Sequence, residues 1–152
     1  MVENCLSDLG RFLLAQDGTY AEALGELRDG AKRSHWMWFV FPQIAGLGHS
    51  PTARHFAIRD LGQARAYLTH EVLGARLREA TSASAAWAGK RSLLEIFGPV
   101  DSLKFVSSMT LFEFAAGADG AGDFGRALDA LAQGERDRHT LALIAAEDGP
   151  PG

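Results

Sequence analysis

Apolar residues recur at three- and four-residue spacing along most of this chain, and helix-capping residue types stand where those runs begin. Ser7 predicts an N-cap ahead of a run through about Gln16, in which Leu9, Phe12 and Leu13 share one side. Thr19 followed by Glu22 has the capping-box pattern and predicts a helix from Tyr20 to Arg28, with Leu24 and Leu27 apolar and Gly30 as its stop. Further helices are predicted over 61–68, 70–81, 91–97, 102–116, 123–133 and 138–146, where Ala, Leu and Arg recur and β-branched residues are few. Between the second and third of these runs lie an aromatic stretch, with room for one or two helical turns over 33–41, and an irregular glycine-rich loop over 44–51. Neither a strand pattern nor an internal repeat is visible. The expected fold is mostly α, a multihelical single domain over 1–146, followed by a disordered Pro/Gly-rich tail over 147–152.

Composition narrows the class. At 152 residues the chain can bury one sizeable core without disulfides or metals, and it is too short for two ordinary domains. No apolar run approaches the roughly 20 residues that a membrane span requires. The N-terminus begins Met1-Val2-Glu3-Asn4-Cys5, without the basic and apolar regions of a signal sequence, so a cytoplasmic location is expected. Cys5 is the single cysteine, which leaves no internal disulfide and no Cys/His ligand set; no metal and no cofactor are expected. A formal charge of −4 argues against an extended nucleic-acid partner, although Lys32-Arg33 could still grip a phosphate of a small nucleotide-like ligand. Exposed apolar surface could pair two copies as a homodimer.

Two dense patches change the picture from fold to function. They are Lys32-Arg33-Ser34-His35-Trp36-Met37-Trp38-Phe39-Val40-Phe41-Pro42-Gln43 and Asp101-Ser102-Leu103-Lys104-Phe105-Val106-Ser107-Ser108-Met109-Thr110-Leu111-Phe112. The chain has three lysines and three tryptophans, yet each patch takes a lysine and the first takes two tryptophans. Small-molecule pockets are mostly apolar with a few placed polar groups, which is what such a concentration would supply. Lys32, His35, Asp101 and Lys104 are the candidate catalytic residues. Trp36, Trp38, Gln43, Gly46, Gly48, Ser50, Ser107, Ser108 and Thr110 are the candidate ligand-binding residues. Each has a plainer reading. The tryptophans can be core, Lys32 solvated, His35 structural, and Asp101 a helix cap with Lys104 as its surface ion pair. Gly46 and Gly48 would let backbone N–H groups approach a phosphate, but the spacing is not that of a P-loop. The run Ser107-Ser108-Met109-Thr110 holds poor interior helix formers, which a site or a helix start would explain.

These two patches, with Gly46-Leu47-Gly48-His49-Ser50, Ala64-Arg65-Ala66-Tyr67-Leu68 and Leu73-Gly74-Ala75-Arg76-Leu77, resemble the bacterial family known as domain of unknown function 1810 over about residues 8–143. Some of its members carry the name calpastatin, but calpain inhibitors are disordered polar repeats and this composition is that of a compact domain. That family is similar in fold to the YbiA-like, or NADAR, group, whose members are linked to cleavage of N-glycosidic bonds in ADP-ribose- and NAD-related compounds. The resemblance implies a YbiA-like fold and an N-glycosidase or hydrolase acting on such a nucleotide derivative. Cleavage would need stabilisation of an oxocarbenium-like sugar by Asp101, a proton from His35 and a stacking surface on Trp36 or Trp38. Alternatively Lys32 or Lys104 would attack the ribose C1 and hold it as a Schiff base. The competing readings are a non-catalytic nucleotide or ADP-ribose binding module and a protein-interaction scaffold.

Overall fold

The longest helical run among the described residues, bent at two glycines, packs against three of the other helices. In the structure, a computed structural model describing residues 9–120 and 122–148, this is α7, Leu93–Gly120. Ahead of it come α1 (Gly10–Gln16), α2 (Tyr20–Arg28), α3 (Met37–Val40), α4 (Pro51–His55), α5 (Leu61–Thr69) and α6 (Leu73–Ala85). After it come α8 (Gly122–Leu131) and α9 (Arg138–Asp148). α7 packs against α5, α8 and α9, while α6 packs against α2, α5 and α8. Among the described residues there is no strand, only an isolated parallel bridge between Ile44 and Ile58. There the Ala45 N–H donates to the Ile58 carbonyl and the Ile58 N–H to the Gln43 carbonyl, each at 2.8 Å. No helix among the described residues is long and apolar enough to cross a membrane.

Aromatic side chains fix how the two patches meet. Phe12, Trp36, Phe41, Tyr67, Phe105, Phe112 and Phe124 are all fully buried. Burial of each removes a large apolar surface from water, an effect of about 1.5–3 kcal/mol per side chain. Phe41, at the end of α3, meets Phe105 of α7 edge-on with ring centroids 5.1 Å apart, and Phe97 stacks on Phe105 at 5.0 Å. The short α3 is thereby pinned to the first half of α7, although about sixty residues separate the patches along the chain.

Several predicted boundaries move for identifiable reasons. The helix expected over 70–81 runs instead from Leu73 to Ala85, because the His70 Nδ1 accepts hydrogen bonds from the Val72 and Leu73 N–H groups and so caps the start. The helices expected over 91–97 and 102–116 are both present and are joined across the non-helical backbone of Gly98 (φ 82°, ψ 172°), while Gly117 (φ 73°) interrupts the helix just past the expected end at 116. Pro99 opens the middle piece, since its missing N–H is no loss in a first turn. Thr19 makes no capping hydrogen bond, as its backbone is already near-helical, and Glu22 turns toward the Ser34 hydroxyl instead. The loop expected over 44–51 ends in α4, whose N-cap Ser50 accepts from the Ala53 N–H. α9 continues to Asp148, past the start of the tail expected over 147–152, because Glu147 accepts from the Leu61 N–H and ties the two helix ends together. Ser7 and positions 149–152 lie outside the described residues.

Candidate functional site

Glu26 of α2 organises the approach to the site. Its side chain is buried and accepts hydrogen bonds from the Arg33 N–H (2.6 Å), the Ser34 N–H (2.9 Å), the Trp36 indole N–H (3.0 Å) and the Ser34 hydroxyl. Burial alone would push this carboxyl up, but the donors from Ser34, Arg33 and Trp36 outweigh it and hold it down at about 2. One ionised carboxylate therefore folds the backbone of 33–36 around itself. The Lys32 N–H donates to the Ile96 carbonyl at 2.8 Å, which fastens the same segment to α7.

That segment delivers Lys32 to Asp101. The Lys32 Nζ lies 2.8 Å from Asp101 Oδ2 and also donates to the Ser34 carbonyl at 2.6 Å. The Lys104 Nζ, one turn along α7 from Asp101, lies 3.3 Å from Asp101 Oδ1. Only 8%, 18% and 19% of the Lys32, Asp101 and Lys104 side chains face solvent, so this is not an ordinary surface ion pair. Lys104 also sits over the Trp38 ring, 3.8 Å from its centroid, and Lys32 lies 5.2 Å from the Trp36 ring. Two formal positive charges share one carboxylate beside two indoles, in a setting where both cation–π attraction and ion pairing are stronger than in open water. Such a site can present a primary amine to an electrophilic carbon while the carboxylate takes or returns a proton.

Other candidates fall elsewhere. Trp36 is fully buried with its N–H spent on Glu26, so it has no face for a ligand to stack on. Trp38 is partly exposed, with Lys104 over its ring. His35 is exposed on the loop before α3. Ser107, Ser108 and Thr110 are buried in α7 and are not available as surface ligand contacts. Thr110 donates to the Val106 carbonyl and accepts from the Asp137 N–H, which docks the start of α9. The Ser108 hydroxyl is buried without a partner. Gly46 and Gly48 serve packing: a Cβ on Gly46 would lie 3.1 Å from the Leu143 side chain, and one on Gly48 would lie 2.7 Å from the Ala53 methyl. Ser50 is committed to capping α4.

Gln43 is the exception in this loop. Its amide nitrogen is buried without a hydrogen-bond partner, and it lines a cavity with Trp38, Gly46, Gly48 and Phe56. The cavity measures about 10 Å³, room for about one water molecule. Among the described residues no group of three or more His, Cys, Asp or Glu side chains could hold a metal ion.

Comparison with known proteins adds family and fold. A family profile described as "Protein of unknown function (DUF1810)" matches residues 6–144. The crystal structure of the conserved hypothetical protein Rv1873 from Mycobacterium tuberculosis is 50% identical and superposes with a TM-score of 0.86, covering 91% of this chain and 96% of that one. No match is found among the curated proteins.

Proposed function

The chain belongs to the DUF1810 family, and from that premise we propose that it is a hydrolase cleaving an N-glycosidic bond in an ADP-ribose- or NAD-related nucleotide. The observation that carries this reading is the pair of amines on one carboxylate, Lys32 and Lys104 on Asp101. Of the two routes by which the residues could act, the arrangement favours the amine. Asp101 is already neutralised by two cations, which weakens it as a partner for an oxocarbenium-like sugar, whereas each lysine is held within reach of a proton acceptor.

In this scheme one lysine first gives a proton to Asp101, and its freed amine nitrogen bonds to the ribose C1 as the C1–N bond to the base breaks. The bonding pair leaves with the base nitrogen, and the proton shed by the amine passes through Asp101 to that nitrogen. The sugar ring opens to an imine, and water then releases the aldehyde and restores the lysine. The YbiA-like assignment belongs to the same proposal, since it follows from the resemblance of the two patches, and a cytoplasmic setting goes with it on the N-terminal composition.

Borohydride reduction in the presence of ADP-ribose, followed by peptide mapping, tests the amine. A reduced adduct on Lys32 or Lys104 is expected, and its loss after Asp101→Asn would tie it to the cluster rather than to indiscriminate reaction. No adduct on either residue, or an adduct unchanged by Asp101→Asn, would remove the lysine route.

A second reading, a binding module without chemistry, is favoured by the two cations set beside the partly exposed Trp38, which suit a phosphate and a stacked base without any cleavage. Asp101→Asn separates the two. In the enzyme it abolishes turnover of an ADP-ribosylated base while ADP-ribose still binds; in the binding module the parent protein already shows no turnover.

A further inference from the structure

A cleft of about 460 Å³ opens between Arg28, at the end of α2, and the last turns of α6 with Trp87 and Lys90 beyond them, and is within the range of small-molecule sites. Its wall is Trp87, half-buried and set in place from two directions. The indole N–H donates to the Leu27 carbonyl at 2.8 Å, and the ring lies where Gly30 lacks a side chain, since a Cβ there would be 2.7 Å from Trp87 Cε2. Ala83 leaves the groove open beside the ring, and the exposed side chains of Arg28 and Lys90 line it with positive charge. Glu79 adds one acceptor: its Oε1 already receives the Tyr20 hydroxyl at 2.7 Å, while Oε2 is 3.9 Å from Arg28 and has no close donor.

We propose that this cleft is a separate binding site for a flat aromatic ring bearing an anionic group, the chemistry of a nucleoside monophosphate. The ring stacks on Trp87, whose position is fixed before binding so that little ordering is lost. Arg28 and Lys90 take the phosphate through charge-assisted hydrogen bonds. The free oxygen of Glu79 accepts from an amino or hydroxyl group of the ligand. The cleft holds two cations against one carboxylate, so its local balance is positive in a chain whose formal charge is −4. It shares no residue with the Lys32–Asp101–Lys104 cluster, and it stands whether or not that cluster is catalytic.

Isothermal titration calorimetry of the full chain with AMP tests the site, with adenosine and ribose 5-phosphate as part-ligands. Saturable AMP binding is expected, each part-ligand binding about tenfold more weakly and the double variant Arg28→Gln, Lys90→Gln losing about tenfold in affinity. Both substituted side chains are exposed, and an unchanged unfolding midpoint in the double variant excludes misfolding as the cause. Absence of binding at millimolar AMP, or binding that survives the double substitution, would each overturn the proposal.

Discussion

Asp101 balances two ammonium groups at once, so the consequences of losing it differ from those of losing either lysine. Asp101→Asn leaves two neighbouring cations without a counter-ion in a mostly desolvated position and is expected to cost on the order of 2–3 kcal/mol. Lys104→Met removes one cation and its contact with Trp38 but leaves the Lys32–Asp101 pair intact, for an expected cost of about 1 kcal/mol. Urea unfolding of the two variants checks the order; a larger loss for Lys104→Met would contradict the shared-carboxylate arrangement. Glu26 supplies the acid dependence. Its folded value of about 2 lies below the ordinary 4.5, so the stability it contributes is complete above pH 4.5 and disappears as pH falls toward 2. Glu26→Gln is expected to cost about 2–3 kcal/mol at neutral pH and to flatten the acid limb of the stability curve across that window, as read by urea midpoints at successive pH values. Lys32 and Lys104 stood out in the sequence because lysine is scarce and each patch takes one, and Asp101 stood out as the acid that opens the second patch. Glu26 was not, since a glutamate in a helix reads as a solvated charge. Its spacing of three from the buried Ala23 was the available signal that it edges the inner face.

The helices themselves were legible from periodicity, and most lie within a few residues of where the pattern places them. What the pattern missed are ends set by contacts rather than by residue type. His70 is not a usual capping residue, yet its ring nitrogen begins α6; α4 is five residues long, too short to show a period. Glu113 and Glu95 had no partners readable from sequence. The structure gives Glu113 a two-pronged pair with Arg136 at 2.8 and 2.6 Å, and gives Glu95 the Ser92 N–H. Two glycines test the element boundaries. Gly98 adopts φ 82° and ψ 172° in open space, so Gly98→Ala meets no clash but an unfavourable backbone, for an expected cost of about 1–3 kcal/mol. Gly74→Ala instead places a Cβ 2.1 Å from the Leu68 carbonyl oxygen where α5 turns into α6, with an expected cost of about 3 kcal/mol or more. Thermal unfolding of both separates strain from collision, the second variant being the less stable.

At the scale of the molecule, the approach of residues 32–43 to 101–112 was not readable from spacing along the chain. It depends on the Phe41–Phe105 contact and on the Lys32 N–H reaching Ile96, both long-range and set only when the core closes. The placement of the three tryptophans has an optical consequence. Trp36 has Lys32 at 5.2 Å, Trp38 has Lys104 at 3.8 Å, and Trp87 shares its cleft with Arg28 and Lys90. Every indole thus lies beside a cation, although the whole chain is acidic. Iodide should therefore quench the intrinsic fluorescence more strongly than caesium at equal ionic strength, with the accessible Trp87 contributing most and the sealed Trp36 least. Stronger quenching by caesium would mean that the indoles sense the overall charge rather than their immediate neighbours. The emission of this protein thereby becomes a local electrometer, reporting a sign opposite to the one its composition would suggest.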